Sequence, residues 1–234
     1  MIARHAKLLR ISGNAFKSLR TQIETVKYSP KKRAGFLIDE NSPSRLSGRF
    51  MHVKTQRIKN IDPETLKEEV VEQPVLLTCT FAVNIANNTI LCQERRSDLN
   101  LLEDVFKGLE GVDCEFVDFA TDVTEIYRRL RDSYGKIDLR TLRIKDYLGR
   151  EGLMTTASFK LMEPSKEDEI MRRFSDAILG FSVSIMTDVG RKSLSVAKNG
   201  SVRASEDVPE DIIEAVLGYL PQFHEEVEVE TVEI

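Results

Sequence analysis

The chain lacks the features that mark several large protein classes. Its 234 residues include only three cysteines, Cys79, Cys92 and Cys114, and no two of them are close in sequence. This excludes a disulfide-stabilised scaffold and favours a reducing, cytoplasmic environment. No stretch has more than three consecutive apolar residues, which argues against a transmembrane helix, and the first residues lack the apolar core of a signal peptide.

Motifs that would identify an enzyme or a cofactor site are also missing. The cysteines and the three histidines, His5, His52 and His224, do not have the spacing of a zinc site. There is no glycine-rich dinucleotide motif, no P-loop and no Gly-x-Ser-x-Gly nucleophile elbow. No lysine has an acidic residue two positions before it, which argues against one large class of metal-dependent nucleases. We therefore predict no cofactor and no metal, and we assign no catalytic residue.

Charged residues are plentiful and strongly segregated, although the net charge is only −4. Residues 1–60 carry 14 basic and 3 acidic side chains, and residues 61–127 carry 4 and 15. Residues 128–203 carry 16 and 10, and residues 204–234 carry none and 10. Proteins bind polyanions with one face and not with their average charge, so the overall acidity does not exclude nucleic-acid binding. Alternatively, the opposite blocks neutralise each other within the fold or between subunits.

Helix caps and apolar periodicity predict five amphipathic helices. The first begins at Asp62 and is closed by Pro74. The next four begin near Ser97, Asp122, Ser165 and Asp207 and end near Gly108, Gly135, Gly180 and Pro221. A sixth helix is predicted over residues 15–26, from its apolar spacing alone.

Apolar or alternating runs predict strands between these helices. They cover residues 75–83, 90–93, 112–117, 137–144, 153–162, 181–187, 193–198 and 201–203. Asn199 and Gly200 predict a hairpin turn, because both tolerate positive φ. Residues 28–48 are rich in turn formers and cations and are expected to be irregular. Residues 225–234 alternate glutamate with Val, Thr or Ile, which favours an acidic edge strand or tail.

Together these elements predict an α+β protein. We expect a central mixed sheet, about five amphipathic helices, and a C-terminal β-meander followed by a helix. The chain divides into a basic N-terminal segment (1–60), a ββαβαβ half (61–148) and a βαββα half (149–234). The boundary between the halves is expected near residues 146–152.

The basic N-terminal block contains the strongest candidate site. Lys31, Lys32 and Arg33 lie in a predicted loop, and the residues from Arg49 to Lys59 alternate like a strand. If Met51 and Val53 face inward, then Phe50, His52 and Lys54 share the outer face of this strand. On such a face, aromatic rings stack on bases and cations neutralise phosphates. The ten candidate nucleic-acid-binding residues are Lys31, Lys32, Arg33, Arg45, Arg49, Phe50, His52, Lys54, Arg57 and Lys59.

Three functions stay open. The leading one is a non-enzymatic, nucleic-acid-associated protein that binds a polyanion through this surface and does not interact with membranes. The second is a homo-oligomer, or a protein with an acidic partner, in which complementary charge blocks meet, because strand 49–59 can equally pair with block 61–127. The third is a metal-dependent, nuclease-like hydrolase. Its available carboxylates would be Glu94, Glu115 and Asp118, although solvated surface charge explains these residues more simply.

Overall fold

The computed structural model describes residues 2–61, 63, 68–93, 95–135, 137–145, 156–161 and 166–223. Within these residues the chain forms eleven strands and five α-helices. The strands are β1 (Ile2–Ile11), β2 (Ala34–Asn41), β3 (Arg45–Ile61), β4 (Glu68–Asn84), β5 (Thr89–Gln93), β6 (Cys114–Val117), β7 (Ile137–Lys145), β8 (Thr156–Lys160), β9 (Ile178–Thr187), β10 (Gly190–Ala197) and β11 (Ser201–Ala204). The helices are α1 (Gly13–Ile23), α2 (Ser97–Lys107), α3 (Val123–Tyr134), α4 (Glu167–Arg173) and α5 (Glu210–Gln222).

All strands belong to one sheet with the order β2-β3-β4-β5-β1-β11-β10-β9-β7-β8, and β6 pairs with β1. Every pairing between named strands is antiparallel, so the predicted mixed sheet is wrong in this respect. The α+β class holds at the coarse level, with sheet predominating. In the C-terminal part, β9, β10 and β11 form an antiparallel meander, and α5 follows it. None of the helices in the described ranges is long and apolar enough to cross a membrane.

Helix α3 lies where the sequence predicts it, between Asp122 and Gly135. Asp122 accepts hydrogen bonds from the backbone N–H groups of Thr124 and Glu125, and α3 ends at Gly135 in the left-handed conformation. The sixth helix, predicted over residues 15–26, corresponds to α1, which begins after Ser12 and ends three residues earlier than predicted. The Ser12 hydroxyl caps the helix by accepting from the N–H of Ala15.

The predicted helix over residues 62–74 is wrong where the chain is described. β4 begins at Glu68, and Pro74 lies inside it, opposite Thr55 of β3. A seventeen-pair ladder with β3 satisfies the backbone of this segment, which contains the β-branched Val70 and Val71. The proline is tolerated because no described strand pairs with the other edge of β4 at that point.

Two other helix boundaries differ from prediction. The helix expected to run from near Ser165 to near Gly180 ends at Arg173, because Ile178 already starts β9 and enters the core from the sheet. α5 begins after Pro209 and includes Pro221 in its last turn. β1 and β2 were not predicted, and β2 occupies much of the segment expected to be irregular. The predicted boundary near 146–152 and the predicted edge strand over 225–234 lie outside the described residues.

The sheet carries helices on opposite faces of its two halves. On β1, Ala6 belongs to the core formed with α3, α4 and α5, whereas Leu9 belongs to the core formed with α1 and α2. These residues are three positions apart, and side chains alternate along a strand, so they point to opposite faces. The helices α3, α4 and α5 cover one face of β7, β9, β10 and β11. No helix of the described residues covers the other face, which we call the open face.

Candidate anion-binding site

Phe50, proposed as a base-stacking ring, is buried, with 5% of its surface exposed. Its ring packs 4.9 Å from that of Phe36 in the core under α1 and α2. The predicted orientation of this strand is therefore wrong. Phe50 faces the core, and Met51 and Val53 lie half-buried on the opposite face. The sequence left this ambiguous because both faces of the strand carry apolar residues.

Four of the predicted cations form ion pairs with nearby carboxylates. The pairs are Arg45–Glu40 (3.3 Å), Arg49–Asp39 (3.8 Å), Arg57–Glu72 (3.0 Å) and Lys59–Glu68 (3.0 Å). Two of them cross from β3 to β4, so the basic strand does pair with the adjacent acidic block. Exposed pairs of this kind contribute little stability, but they reduce the positive potential available to a polyanion.

The other predicted cations cluster beside the outer edge of β3. The N–H of Val53 donates to the carbonyl of Arg33 (2.8 Å), which holds the turn of Lys31, Lys32 and Arg33 next to that strand. Lys54 follows on the same strand. No carboxylate in the described parts of the chain lies within ion-pair distance of these four cations. We call Lys31, Lys32, Arg33 and Lys54 the basic turn cluster.

A second cationic site, which the sequence did not indicate, lies on the open face of the C-terminal half of the sheet. It is a depression of about 380 Å³. Its polar lining residues are His5, Arg96, Thr141, Arg143, Ser158, Ser182, Ser195, Asn199, Ser201 and Arg203. Among the described residues that line it, none carries a carboxylate.

Strand register explains how these side chains come together. Arg203 of β11 pairs with Ser195 of β10, which pairs with Ser182 of β9, which pairs with Thr141 of β7. Lys160 of β8 extends this row beyond Thr141. Directly paired residues share a face, so the row forms a line of hydroxyl groups with a cation at each end. Four strand spacings of about 4.8 Å separate the ends by roughly 19 Å.

The next row of paired residues on the same face forms the floor of the depression. Arg143 of β7 lies opposite Gly180 of β9, and Gly180 lies opposite Ala197 of β10. These small residues leave space above the sheet between Arg143 and the β10–β11 turn. Ser158 of β8 pairs with Arg143 on its other side.

Arg96, which immediately precedes α2, closes one side of the depression. Its guanidinium donates to the backbone oxygen of Asn199 (3.2 Å) and to the Ser201 hydroxyl (3.3 Å). It also pairs with Asp118 (2.5 Å), whose other oxygen lies 3.5 Å from the Lys7 ammonium. His5 Nδ1 lies 2.9 Å from the Ser201 hydroxyl. Arg96 is therefore held in place, whereas Arg143 and Arg203 have no carboxylate partner within the described chain.

This combination of groups suits an anion with several phosphates. Guanidinium groups bind phosphate oxygens through two parallel N–H donors, and serine and threonine hydroxyls add single donors. Contacts to a nucleic-acid backbone are made mainly by these residue types. Cations distributed across the sheet match a ligand with distributed negative charge.

The sequence contained only a weak indication of this surface. Arg96, Arg143 and Arg203 lie in three separate segments, and only the strand order β5-β1-β11-β10-β9-β7 brings them together. The alternation of hydroxyls with apolar residues in β9 and β10 marks one polar face per strand. It gives no information about which strands are neighbours.

The fold also brings together two cysteines that are distant in sequence. The sulfur atoms of Cys79 and Cys92 lie 3.4 Å apart in the core, and Asp98 completes a group of three potential ligand atoms within 4.8 Å. The Cys92 thiol donates to the backbone oxygen of Gln93 (3.3 Å). Structural zinc sites generally have four protein ligands, so this group falls one short among the residues described.

No protein-family model matches the chain, and a search of curated proteins finds no match.

Proposed function

We propose that this protein is a non-enzymatic nucleic-acid-binding protein that holds a phosphate backbone against the open face of its C-terminal sheet half. The proposal depends chiefly on one observation. Arg203 ends a row of hydroxyl groups and Arg143 lies in the adjacent row, in a depression with no carboxylate among its described lining residues. The proposed ligand class, nucleic acid, is the one that the basic N-terminal block predicts. The proposed principal binding surface, however, lies on β7–β11 and not on that block.

Recognition is expected to be independent of base sequence. The two rings among the described lining residues, Phe181 and His5, are only 3% and 5% exposed, so neither offers a stacking surface. Affinity should therefore come from phosphate contacts, which depend strongly on salt and carry no direct sequence information.

The test is fluorescence anisotropy with labelled single strands of increasing length and with a duplex, at low salt. Affinity should rise with length and vary little with base composition, and the strands should stay intact in the presence of Mg²⁺. Inorganic phosphate or a mononucleotide that competes as effectively as the polymer would overturn the proposal in favour of a small phosphorylated ligand. Cleavage of the strands would contradict the non-enzymatic assignment, and absence of binding would contradict the function itself.

The matched variants are R143A/R203A and K17A/R129A. Both remove two positive charges, but Lys17 and Arg129 are exposed on the outer faces of α1 and α3. Since charge-assisted hydrogen bonds each contribute roughly 1.5–3 kcal/mol, the first variant should bind at least about tenfold more weakly. The second should bind like the wild type.

A further inference from the structure

The depression on the open face is closed on the side of β1. His5 of β1 pairs with Ser201 of β11, and Lys7 lies two residues further along β1, so it shares the face of His5. The Lys7 ammonium donates to the side-chain oxygen of Asn100 on α2 (3.1 Å). Lys7 and His5 are only 8% and 5% exposed. Helix α2 therefore covers this face of β1 and forms a wall at the edge of the depression.

The floor of the depression leads across the strands to this wall. It crosses β8, β7, β9 and β10 at Ser158, Arg143, Gly180 and Ala197. At the β10–β11 turn it meets Arg96, whose guanidinium donates to the backbone oxygen of Asn199 and to the Ser201 hydroxyl. A phosphate backbone that follows the floor from β8 must therefore end or turn away at Arg96.

The closed end carries more positive than negative charge. Asp118 lies 2.5 Å from Arg96 and 3.5 Å from the Lys7 ammonium, so two cations share one carboxylate. A guanidinium has five N–H donors, and Arg96 makes three hydrogen bonds within the described chain, so two donors remain for a ligand. On the opposite side of the floor, Arg143 is exposed and has no carboxylate partner among the described residues.

These features match the terminal phosphate of a strand better than an internal one. A terminal phosphomonoester carries about −1.5 to −2 charge near neutral pH and three acceptor oxygens, whereas each internal phosphate carries one charge. The small residues Gly180 and Ala197 leave space between two guanidinium groups, which bind phosphate oxygens through parallel donors. The volume of about 380 Å³ is near the lower end of the range of ligand pockets, roughly 300–1,000 Å³, and suits a nucleotide-sized group.

We infer that the depression binds the phosphorylated end of a nucleic-acid strand, with the terminal phosphate between Arg143 and Arg96. This inference rests on the proposed nucleic-acid-binding function and adds the class of strand that the site selects. Arg143 supplies the unpaired cation, and Arg96, held by its neighbours, closes the end. The rest of the strand runs over the hydroxyl row toward β8.

Fluorescence anisotropy of the full-length protein tests the inference with internally labelled single strands of one sequence. The strands carry a 5′-phosphate, a 3′-phosphate or only hydroxyl ends, and a circular form has no end. At least one phosphorylated strand should bind about tenfold or more tightly than the hydroxyl-ended strand and the circle. The preferred end identifies the polarity of the bound strand. A hydroxyl-ended strand lengthened to carry the same total charge should not reproduce the gain.

Single-arginine variants locate the terminal phosphate. R143A should abolish the gain, because it removes the unpaired cation. R203A is the matched control, since it also removes an arginine from the depression but acts on the hydroxyl row. It should weaken all strands alike and preserve the ratio between phosphorylated and hydroxyl-ended strands. R96K keeps the charge beside Asp118 but loses the planar fork, so it should reduce the gain.

The outcomes separate this inference from the function on which it rests. Equal binding of every strand, the circle included, would overturn the inference and leave the proposed function standing. A gain that persists in R143A, or one that the lengthened hydroxyl-ended strand reproduces, would overturn it as well. Absence of binding by every strand would contradict the proposed function itself.

Discussion

Arg143 of β7 lies directly opposite Gly180 of β9, and this pairing forms the floor of the depression on the open face. A Cβ atom on Gly180 would lie 2.6 Å from the backbone oxygen of Val196, closer than real Cβ contacts. The sheet therefore has no room for a side chain at this position, and Arg143 opposite it is exposed.

The Gly180→Ala variant should be less stable than the wild type by about 1–3 kcal/mol, because β10 must shift to accommodate the methyl group. Gly218→Ala is the matched control. A Cβ atom there meets nothing within 4 Å, and the position is inside α5, so this change should stabilise by up to about 1 kcal/mol. Urea denaturation measures both. Equal stability of Gly180→Ala and the wild type would show that the strands are further apart than described.

Core substitutions should differ according to burial. Leu102 on α2 is fully buried, so Leu102→Ala should destabilise by about 2–5 kcal/mol. Phe174, which follows α4, is only half-buried, and Phe174→Ala should cost less than about 2 kcal/mol. In urea unfolding, the midpoint of Leu102→Ala should therefore be lower than that of Phe174→Ala. The reverse order would indicate that α4, rather than α2, covers the tighter core.

Glu167 should give a recognisable pH dependence. Burial, reinforced by the adjacent Asp168, raises the pKa of this carboxyl, although a backbone hydrogen bond from Leu139 opposes the shift. Tyr127 donates to the carboxylate and Arg131 lies 3.4 Å from it. The folded state therefore holds the proton more tightly than the unfolded state, in which glutamate ionises near pH 4.3.

The stabilisation from this protonated carboxyl is complete below that pH and is lost as pH rises through the folded-state pKa. Glu167→Gln removes the titration and keeps an oxygen that accepts from Tyr127. Its unfolding free energy, measured relative to the wild type, should increase between pH 4 and pH 7. A constant difference across this range would contradict the raised pKa.

The cysteines should be reduced, metal-free and slow to react in the folded protein. Burial raises the pKa of Cys114 to about 11, so little thiolate forms near neutral pH. Titration of the denatured, unreduced protein should find three free thiols, and elemental analysis should find no stoichiometric zinc. A loss of two thiols would identify a Cys79–Cys92 disulfide, and bound zinc would assign that role to the group containing Asp98.

Local chemistry made parts of the fold predictable. The cap at Asp122 and the left-handed Gly135 define α3 within a few residues of sequence, and Gly200 at φ 81 forms the turn between β10 and β11. Pro74 misled the prediction because its local preference to end a helix was overridden by the long ladder with β3. Local patterns do not report such distant pairing.

The same difference between local patterns and distant strand pairing explains why the sequence did not indicate the candidate anion-binding site. Lys31, Lys32 and Arg33 are contiguous in sequence, but contiguity only indicates charge. Whether a cation is available to a ligand depends on neighbours such as Glu72 beside Arg57, which β3–β4 pairing supplies. Arg143 and Arg203 are isolated in sequence and meet only through strand order, so residue patterns did not identify them.

The salt dependence of nucleic-acid binding tests the central claim most directly. Each phosphate neutralised contributes about −0.7 to the slope of log K against log salt on a single strand. R143A/R203A should make that slope shallower by about 1.4 at most and weaken binding, whereas K31A/K32A/R33A should leave slope and affinity close to wild type. An unchanged slope for R143A/R203A, with the loss appearing in K31A/K32A/R33A, would contradict the account and place binding at the basic turn.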